Sequence, residues 1–363
     1  MEIQHRLRDR PFFSICVPQY NRTSFLVEAC RVLSGQTYKN FEVCISDDCS
    51  TDGRGPELVE FLKGSGLLFV YKRQEKNSRY DANLRASVAL ASGQFCFLLG
   101  NDDCLASPET LNKLHNELQL YGPVSVAITN YEDFATGKTD RRIGKTGIIG
   151  SGPEVAANNY RNFSFVSGIL FETAKAKEHA TGKWDGSEMY QMFVGCRMIA
   201  EGGILLGLET VTVRKDIQIV GEFVDSHVLK PRLHPCPIIE RRHTFHLIGR
   251  LVEDAIRPHS QPSQRQKLCG RILLQLFLFT YPFWIVKYRQ VQSWKYAVGI
   301  CLGMRPRNTF YGLGLNFLRK VWLSGLYGIV SFLSLCIPTL VFDVLYPVSY
   351  RLAKSLFIGV RSH

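Results

Sequence analysis

QFCFLLGNDD, residues 94–103, is an apolar run that ends abruptly in an acidic turn. A continuous apolar run of this length, bounded by polar residues, is typical of a strand that is buried on both faces in a parallel sheet. Gly100 lets the backbone turn closely before Asp102 and Asp103. Because open α/β sheets bind ligands at the carboxyl ends of their strands, these two carboxylates are candidate ligand groups.

Similar apolar runs precede this stretch, and segments with helical spacing separate them. Strands are predicted at FFSICV (12–17), FEVCIS (41–46) and GLLFVYK (66–72), and helices at 24–36, 56–63 and 81–92. Strands that alternate with helices in this way predict an α/β fold with a doubly wound, mostly parallel sheet.

A second acidic pair, Asp47 and Asp48, follows the strand predicted at 41–46. We expect it beside Asp102 and Asp103, where four carboxylates would repel one another strongly unless they shared a cation. A hard divalent cation bound there could stabilise the charge on a nucleotide diphosphate leaving group. Two alternatives stay open: NDD is a solvated turn or a helix N-cap, and Asp47 or Asp48 only caps the turn that follows it.

Three motifs occur in a fixed order: SICVPQYNR (14–22), ISDDCSTDG (45–53) and NLRASVALASGQFCFLLGNDD (83–103). In order, spacing and wording they resemble the glycosyltransferase family 2 domain over residues 12–105, with a looser match to about 220. The ending LLGNDD is most similar to abequosyltransferase-like and related O-antigen enzymes, whose strand commonly ends in LLGDDD; here Asn101 replaces an acid. The resemblance implies a GT-A fold with a mixed sheet, a nucleotide-sugar donor, and Mn²⁺ or Mg²⁺ as cofactor.

The resemblance also implies roles for individual residues of the donor site. Pro18, Tyr20 and Asn21 would line the nucleotide loop, Asp48 would bind the base, Asp102 the ribose and Asp103 the metal, and Arg79 and Asn83 would lie near the diphosphate. For Arg79, a solvated charge at the start of a helix is an equally open interpretation.

An inverting sugar transfer needs a carboxylate on the acceptor side that can take the proton of the attacking hydroxyl. Members of the family usually carry an acid just before a helix that follows the middle of the domain, and KWDGSEMYQMFVGCRMIAEGG (183–203) fits that location. We expect Glu188 to be the base, with Asp185 as a near neighbour. The alternative is that Glu188 only complements the dipole of the helix that it precedes.

Composition and charge separate the chain into two parts. A chain that is 45% hydrophobic and 21% charged is globular. Residues 1–229 hold 25 Lys/Arg and 28 Asp/Glu, whereas residues 230–320 hold 16 Lys/Arg and three Asp/Glu. We therefore predict a catalytic domain at 1–229 and a basic, apolar, helical region at 230–363. The basic excess beside apolar runs favours an anionic membrane surface over nucleic acid, for which no binding motif is found.

Two apolar runs in the second part, 272–286 and 321–342, are candidates for membrane contact. The first has 15 residues, which is short for a span, and Pro338 interrupts the second. Basic residues flank both runs, so we expect a monotopic or re-entrant attachment rather than a true span, with a buried helical hairpin as the alternative. Such an attachment suits an enzyme with a lipid-linked glycan acceptor.

The expected location is the cytoplasmic face of the inner membrane. The eleven cysteines scatter singly through apolar runs, which favours reduced thiols, and the charged amino terminus has no export signal. Together these features favour a glycosyltransferase of surface polysaccharide or O-antigen biosynthesis. The alternatives are a nucleotidyltransferase, which should show a glycine-rich phosphate loop that VPQYNR does not provide, and an inactive scaffold of the same fold.

Overall fold

The computed structural model describes residues 2–5, 10–222, 245–291 and 293–357. Chain contacts define two compact units, Met1–Val224 and Asp225–His363. The first unit is an α/β structure, and the second is helical in its described part.

The first unit alternates strands and helices along most of its length. Its strands are β1 (Glu2–His5), β2 (Phe13–Gln19), β3 (Phe41–Asp47), β4 (Phe69–Arg73), β5 (Phe95–Leu98), β6 (Cys104–Leu105), β7 (Val126–Asp133), β8 (Thr139–Asp140), β9 (Gly147–Gly150), β10 (Ile169–Glu172) and β11 (Leu205–Lys215). Its helices are α1 (Thr23–Ser34), α2 (Gly55–Gly64), α3 (Arg79–Leu90), α4 (Thr110–Tyr121), α5 (Pro153–Asn159), α6 (Thr173–Glu178) and α7 (Tyr190–Ala200).

All the described strands join one mixed sheet. The path along it is β1-β4-β3-β2-β5-β10-β7-β11-β6, with β8 paired to β7 and β9 to β11. Strands β4, β3, β2 and β5 are mutually parallel, while β10 runs antiparallel to β5 and to β7. The predicted mixed, doubly wound sheet is therefore confirmed.

Burial explains why the apolar runs form the central strands. All seven residues of β2, and likewise of β3, are buried, because helices cover both faces of the sheet. Helix α1, which confirms the helix predicted at 24–36, turns an apolar face with Phe25, Leu26 and Leu33 to this core. Helix α3 begins at Arg79, two residues before the predicted start.

The expectation that Asp47 and Asp48 lie directly beside Asp102 and Asp103 is wrong. Strand β2 lies between β3, which carries Asp47, and β5, which precedes Asp102. The two acidic pairs share one edge of the sheet, but Gln19 and the loop after it occupy the position between them. Sequential strands need not be neighbours, because the chain crosses over.

The second unit consists of helices in its described part. They are α8 (Phe245–Ile256), α9 (Pro262–Gln275), a π-helical turn (Leu276–Thr280), α10 (Tyr281–Val291), α11 (Trp294–Gly303), α12 (Pro306–Thr309), α13 (Phe317–Cys336) and α14 (Thr339–Phe357). The predicted boundary between 229 and 230 falls outside the described residues.

The apolar run 272–286 is part of a longer helix than its 15 residues suggest. Helix α9, the π turn and α10 form one helical stretch of 30 residues, Pro262–Val291, which is long and apolar enough to cross a membrane by length and composition. However, 61% of its most apolar window is buried within the protein, as in the core helix of a soluble protein. The run 321–342 is divided as expected, because α13 ends at Cys336 and α14 begins after Pro338.

The ten cysteines in the described part of the chain are free thiols. Eight of them are buried, Cys49 is partly exposed and Cys336 is exposed.

Candidate active site

The site lies where the parallel strands β2, β3 and β5 end. Gln19 ends β2, Asp47 ends β3, and Leu99 and Gly100 follow β5. Because these strands run in the same direction, their polar ends meet at one edge of the sheet. The sequence therefore predicts correctly which edge carries the acidic residues.

Asp103 is a buried carboxylate with two protein donors. It is 3% exposed, it accepts a hydrogen bond from the Ser167 hydroxyl, and its Oδ1 accepts the backbone N–H of Asp216 at 3.0 Å. Burial, followed by the charge of Asp102, raises the pKa of Asp103 to about 8, although the Ser167 bond opposes the rise. A positive charge beside Asp103 would therefore be strongly stabilised.

Asp102 faces the same point as Asp103. A methyl group built on Gly100 would lie 2.8 Å from Oδ2 of Asp103 and 3.3 Å from Oδ1 of Asp102, so the two carboxylates converge there. The Arg22 guanidinium forms a salt bridge with the other oxygen of Asp102. The backbone carbonyl of Asp102 accepts the N–H of Ile217 at 2.8 Å, which ties this acidic turn to the segment after β11.

The donor set at this point suits a divalent cation that is shared with a ligand. The described residues contain no cluster of three or more His, Cys, Asp or Glu side chains that could enclose a metal ion. Mg²⁺, however, is usually held by one or two carboxylates together with substrate phosphates and water. Asp102 and Asp103 supply two such carboxylates, and burial together with the charge of Asp102 raises the pKa of Asp103.

Asp47 and Asp48 hold the neighbouring loops. Asp47 accepts the N–H of Ser50 at 2.8 Å and the hydroxyl of Tyr71, so one expected alternative, the capping of the following turn, is what its side chain does. Asp48 is 1% exposed and accepts the N–H groups of Ser78 at 2.7 Å and Arg79 at 2.8 Å. Burial raises the pKa of Asp48 while these two bonds lower it.

The loop after β2 has an unusual backbone. Asn21 and Arg22 are both left-handed, with φ of 51° and 55°, and Pro18 is buried within β2. Asn21 donates its N–H to Ser50 at 2.8 Å and accepts the N–H of Thr51 at 2.7 Å, which joins this loop to the turn after β3. Tyr20 is 43% exposed at the tip of the loop, where its ring is available to a ligand.

Asn101 explains the departure from the acidic pattern. Its side-chain N–H₂ group donates to Oε1 of Gln19 at 2.7 Å and to the backbone carbonyl of Asn21 at 3.2 Å. An ionised aspartate has no proton to donate to these two oxygens. The amide thus joins the acidic turn to the loop after β2. These two donated hydrogen bonds are a structural reason for asparagine, rather than an acid, at position 101.

Arg79 and Asn83 lie on the first turns of α3. Arg79 is left-handed with φ of 69°, and its side chain is exposed. Asn83 is 4% exposed and donates to the carbonyl of Gln19 at 3.0 Å, and its Oδ1 is buried without a hydrogen-bond partner in the described residues. The start of α3 therefore contacts the ends of both β2 and β3.

The two acids expected on the acceptor side have different surroundings. Asp185 is engaged by Arg85, whose two terminal nitrogens lie 2.5 and 2.8 Å from its carboxylate oxygens. Glu188 is partly buried and adopts a left-handed backbone with φ of 61°. The bidentate ion pair makes Asp185 the weaker candidate for a proton acceptor.

Tyr80 lies in the first turn of α3 and contacts Gln191 of α7. Its hydroxyl donates to Gln191 at 3.3 Å, and burial together with the charges of Asp81, Glu188 and Asp103 raises its pKa well above the ordinary value. The phenol thus stays protonated in an acidic environment to which Glu188 and Asp103 both contribute.

Several residues of the site were not predicted from the sequence, namely Arg22, Tyr80, Asp81, Ser167 and Asp216. Arg22 lies in the first of the three sequence motifs, and the other four residues lie in none of them. Ser167 and Asp216 follow the acidic turn by more than 60 residues, and no local periodicity indicates such contacts.

Comparison with known proteins agrees with this geometry. The sequence model of Glycosyl transferase family 2 matches residues 14–172, which include Asp47, Asp48, Asp102 and Asp103 but end before Glu188. Abequosyltransferase RfbV of Salmonella typhimurium is 38% identical over 95 residues, which cover 26% of this chain and 28% of the relative. A PGL/p-HBAD biosynthesis glycosyltransferase of Mycobacterium bovis is 30% identical over 145 residues, or 38% of this chain and 56% of the relative. The alignments thus span between about a quarter and just over half of these relatives.

Two solved structures are similar over most of the chain. S. aureus TarS 1-349 in complex with UDP-GlcNAc has a TM-score of 0.60 at 18% identity and covers 89% of this chain and 91% of that one. Mannosyltransferase PcManGT from Pyrobaculum calidifontis, in complex with GDP-Man and Mn²⁺, has a TM-score of 0.50 at 13% identity, with coverages of 91% and 88%. At these identities the likeness concerns the fold, which is the GT-A fold of glycosyltransferases. Together with the acidic sheet edge, the family match identifies residues 14–172 as a domain of Glycosyl transferase family 2, and an abequosyltransferase is among the relatives of the chain.

Proposed function

We propose that this protein transfers a sugar from a nucleoside-diphosphate sugar to a lipid-linked glycan at the cytoplasmic face of the inner membrane, in surface polysaccharide or O-antigen biosynthesis. The observation that carries the proposal is the convergence of Asp102 and Asp103 beside Gly100 at the carboxyl edge of the sheet. The identity of 38% to an abequosyltransferase over 95 residues supports the reaction class.

On the donor side, Asp103 would hold the divalent cation, Mn²⁺ or Mg²⁺. Asp102, which converges with it beside Gly100, would be a second ligand in place of the ribose contact that the resemblance implies. When bound there, the cation would neutralise charge on the diphosphate as the glycosidic bond breaks. The exposed Tyr20 ring and the loop of Pro18 and Asn21 would receive the nucleoside. Asp48 would bind the base through lone pairs that its two backbone donors leave free.

The start of α3 would face the diphosphate. The exposed Arg79 guanidinium would pair with its phosphate oxygens. Asn83 would orient the carbonyl of Gln19 and the loop that follows, since its amide already donates to that carbonyl at 3.0 Å.

On the acceptor side, Glu188 would accept the proton of the attacking hydroxyl. In that step the acceptor oxygen forms a bond to the anomeric carbon, the bond from that carbon to the diphosphate oxygen breaks, and the proton moves to the Glu188 carboxylate. The backbone N–H of Glu188 donates to Asp81 in the first turn of α3, and the start of the same helix donates to Asp48, which supports placing Glu188 near the donor site. Asp185 would instead orient Arg85.

Attachment to the membrane would use the second unit. The buried residues of helix α13 are Leu323, Ser331 and Ser334, whereas most of its large apolar side chains are exposed, which is unusual for a helix of a soluble protein. We define the apolar face by side chains of α13 and α14 that are 43% to 80% exposed: Phe317, Leu318, Val321, Trp322, Ile329, Phe332, Leu333, Leu340, Val341, Val344, Leu345 and Val348.

A bilayer surface suits the apolar face better than water does. An apolar surface of this extent is rare on soluble monomers and marks an interaction site. Arg319 and Lys320 lie at its beginning and Arg351 and Lys354 follow it in the sequence, so both ends can meet anionic headgroups. Because α13 ends before Pro338 and α14 contains Pro347, we propose a monotopic attachment rather than a span. The free, mostly buried thiols support a reducing compartment.

The decisive experiment measures thermal stability of the full chain with nucleoside diphosphates and a metal. UDP, GDP, CDP and dTDP are tested with and without Mn²⁺ or Mg²⁺, since a ligand that binds only the folded state raises its apparent stability. We expect at least one pair to stabilise the protein, and Asp103→Asn to remove the metal-dependent part.

Glu42→Gln is the matched control for Asp103→Asn. Glu42 is also a buried carboxylate with several donors, but it lies at the start of β3, at the opposite edge of the sheet. It should lower stability without changing the response to metal. An Asp103→Asn variant that responds to Mn²⁺ like the parent would contradict the metal assignment.

A further inference from the structure

Asp81 makes an unusual set of contacts for an acidic residue on a helix. It lies in the first turn of α3 and is 2% exposed. Its Oδ2 accepts the backbone N–H groups of Gly186 and Glu188, each at 2.8 Å, and its Oδ1 accepts that of Tyr190 at 2.9 Å. One buried carboxylate thus gathers three backbone donors from a loop that lies more than 100 residues later in the chain.

The backbone of that loop needs such a partner. Gly186 has φ of 89° and Glu188 has φ of 61°, so two positions of the loop are left-handed. This conformation is unfavourable for a residue that carries a Cβ, and it persists only where surrounding contacts hold it. The N–H of Glu188 itself donates to Asp81. The carboxylate of Asp81 therefore fixes the direction in which Glu188 leaves the backbone.

The same part of α3 also contacts the donor side. The N–H groups of Ser78 and Arg79 donate to Asp48, and Asn83 donates to the carbonyl of Gln19. Asp81 lies between these contacts in the sequence. The start of α3 thus connects the nucleotide edge of the sheet with the loop of Glu188.

We infer that Asp81 is a positioning residue, which holds residues 186–190 around its carboxylate and thereby orients Glu188 toward the acceptor. The inference rests on the proposed role of Glu188 as the base. Asp81 does not touch the reacting atoms; it acts through the backbone of the loop. The competing explanation is that Asp81 only caps helix α7, which begins at Tyr190.

The main variant is Asp81→Asn, which keeps the shape of the side chain. An amide replaces one accepting oxygen with a donating N–H₂ group, so at least one of the three backbone donors must lose its partner. We expect faster amide hydrogen exchange at residues 186–190, while metal-dependent binding of the nucleoside diphosphate stays within twofold of the parent. Glu42→Gln is again the control, because it should leave exchange at 186–190 unchanged.

The donor is a nucleotide sugar that contains the nucleoside diphosphate found to stabilise the protein most. The acceptor is a lipid extract of bacterial inner membranes, and turnover is measured as release of the nucleoside diphosphate. Asp81→Asn should lower the rate at saturating donor at least tenfold. In a Glu188→Gln background the same substitution should change the rate less than twofold, because a residue that acts through Glu188 has nothing left to orient.

A second variant tests the loop without altering the buried carboxylate. Gly186→Ala strains a left-handed position where a methyl group meets nothing within 4 Å, so the loss should come from the loop conformation alone. Gly137→Ala, at an equally open position with φ of 65° in the turn between β7 and β8, is the matched control. Gly186→Ala should lower turnover with unchanged nucleotide binding, and Gly137→Ala should change neither.

Three results would overturn the inference. The first is that Asp81→Asn keeps the parental turnover despite faster exchange at 186–190. The second is that Asp81→Asn lowers turnover equally in the parent and in the Glu188→Gln background. The third is that Gly186→Ala keeps the parental turnover. If Glu188→Gln alone transfers at the parental rate, the proposed base is wrong, whereas the exchange and glycine measurements still report whether Asp81 orders the loop.

Discussion

Gly100→Ala tests the convergence of the two site carboxylates directly. The added methyl group would lie 2.8 Å from Oδ2 of Asp103, 3.3 Å from Oδ1 of Asp102 and 3.3 Å from Oγ of Ser167. A Cβ atom essentially never lies within 3.0 Å of another heavy atom, so the Asp103 carboxylate must shift. Gly100 has no positive φ, and alanine therefore adds no backbone strain.

The magnitude follows from the bonds of Asp103. At about pH 9, above its pKa of about 8, Asp103 is ionised. Displacement of its carboxylate then breaks the bond from Ser167 or weakens the one from Asp216, and a hydrogen bond to a charged group contributes about 1.5–3 kcal/mol. Alanine offsets about 0.4–1 kcal/mol by restricting the unfolded chain. We expect a net loss of about 1–2 kcal/mol in the free energy of unfolding. We also expect weaker metal-dependent binding of the nucleotide, and each loss of about 1.4 kcal/mol in binding free energy lowers the affinity roughly tenfold.

Urea denaturation at about pH 9, where Asp103 is ionised, gives the stability. Calorimetric titration of the nucleoside diphosphate with and without Mn²⁺ gives the affinity. Gly64→Ala is the matched control, because a methyl group there meets nothing within 4 Å at the end of α2. That variant should be neutral or slightly more stable and should bind as the parent does. Parental stability and parental Mn²⁺ dependence in Gly100→Ala would refute the convergence of Asp102 and Asp103 at this point.

Three further predictions concern the hydrogen bonds of Asn101, the catalytic base and the membrane attachment. Asn101→Asp should lower the unfolding free energy by about 1–3 kcal/mol, because the carboxylate faces the oxygens of Gln19 and Asn21, and denaturation that matches the parent would contradict this. Glu188→Gln should lower transfer on the order of 10²-fold with unchanged donor binding, whereas Asp185→Asn should lower it less; the reverse order in nucleoside diphosphate release would move the base to Asp185. Ile329→Glu combined with Leu333→Glu should abolish flotation of the full chain on anionic liposomes, whereas Leu120→Glu, at an exposed leucine of α4, should not. If the parent protein instead stays soluble and dimerises through the apolar face, a second copy of the chain covers this face and the membrane proposal is wrong.

Much of the fold and part of the site could be predicted from the sequence alone. The apolar runs at 12–17, 41–46 and 94–100 become central strands because a strand buried on both faces must be apolar throughout. The order of three motifs placed Asp48, Asp102 and Asp103 at one sheet edge, since parallel strands end on the same side. The division of charge separated a slightly acidic first part from a basic second part.

Only the tertiary structure decided how these residues are connected. The position of β2 between β3 and β5 separates the two acidic pairs, and strand order depends on crossovers that local periodicity does not encode. The contacts of Asp103 with Ser167 and of Asp81 with Glu188 join residues far apart in the chain, so no local pattern contains them. The outward direction of the apolar side chains of α13 likewise follows from which face packs on α10, through Ser331 and Tyr281, and hydropathy alone cannot distinguish a buried helix from an exposed one.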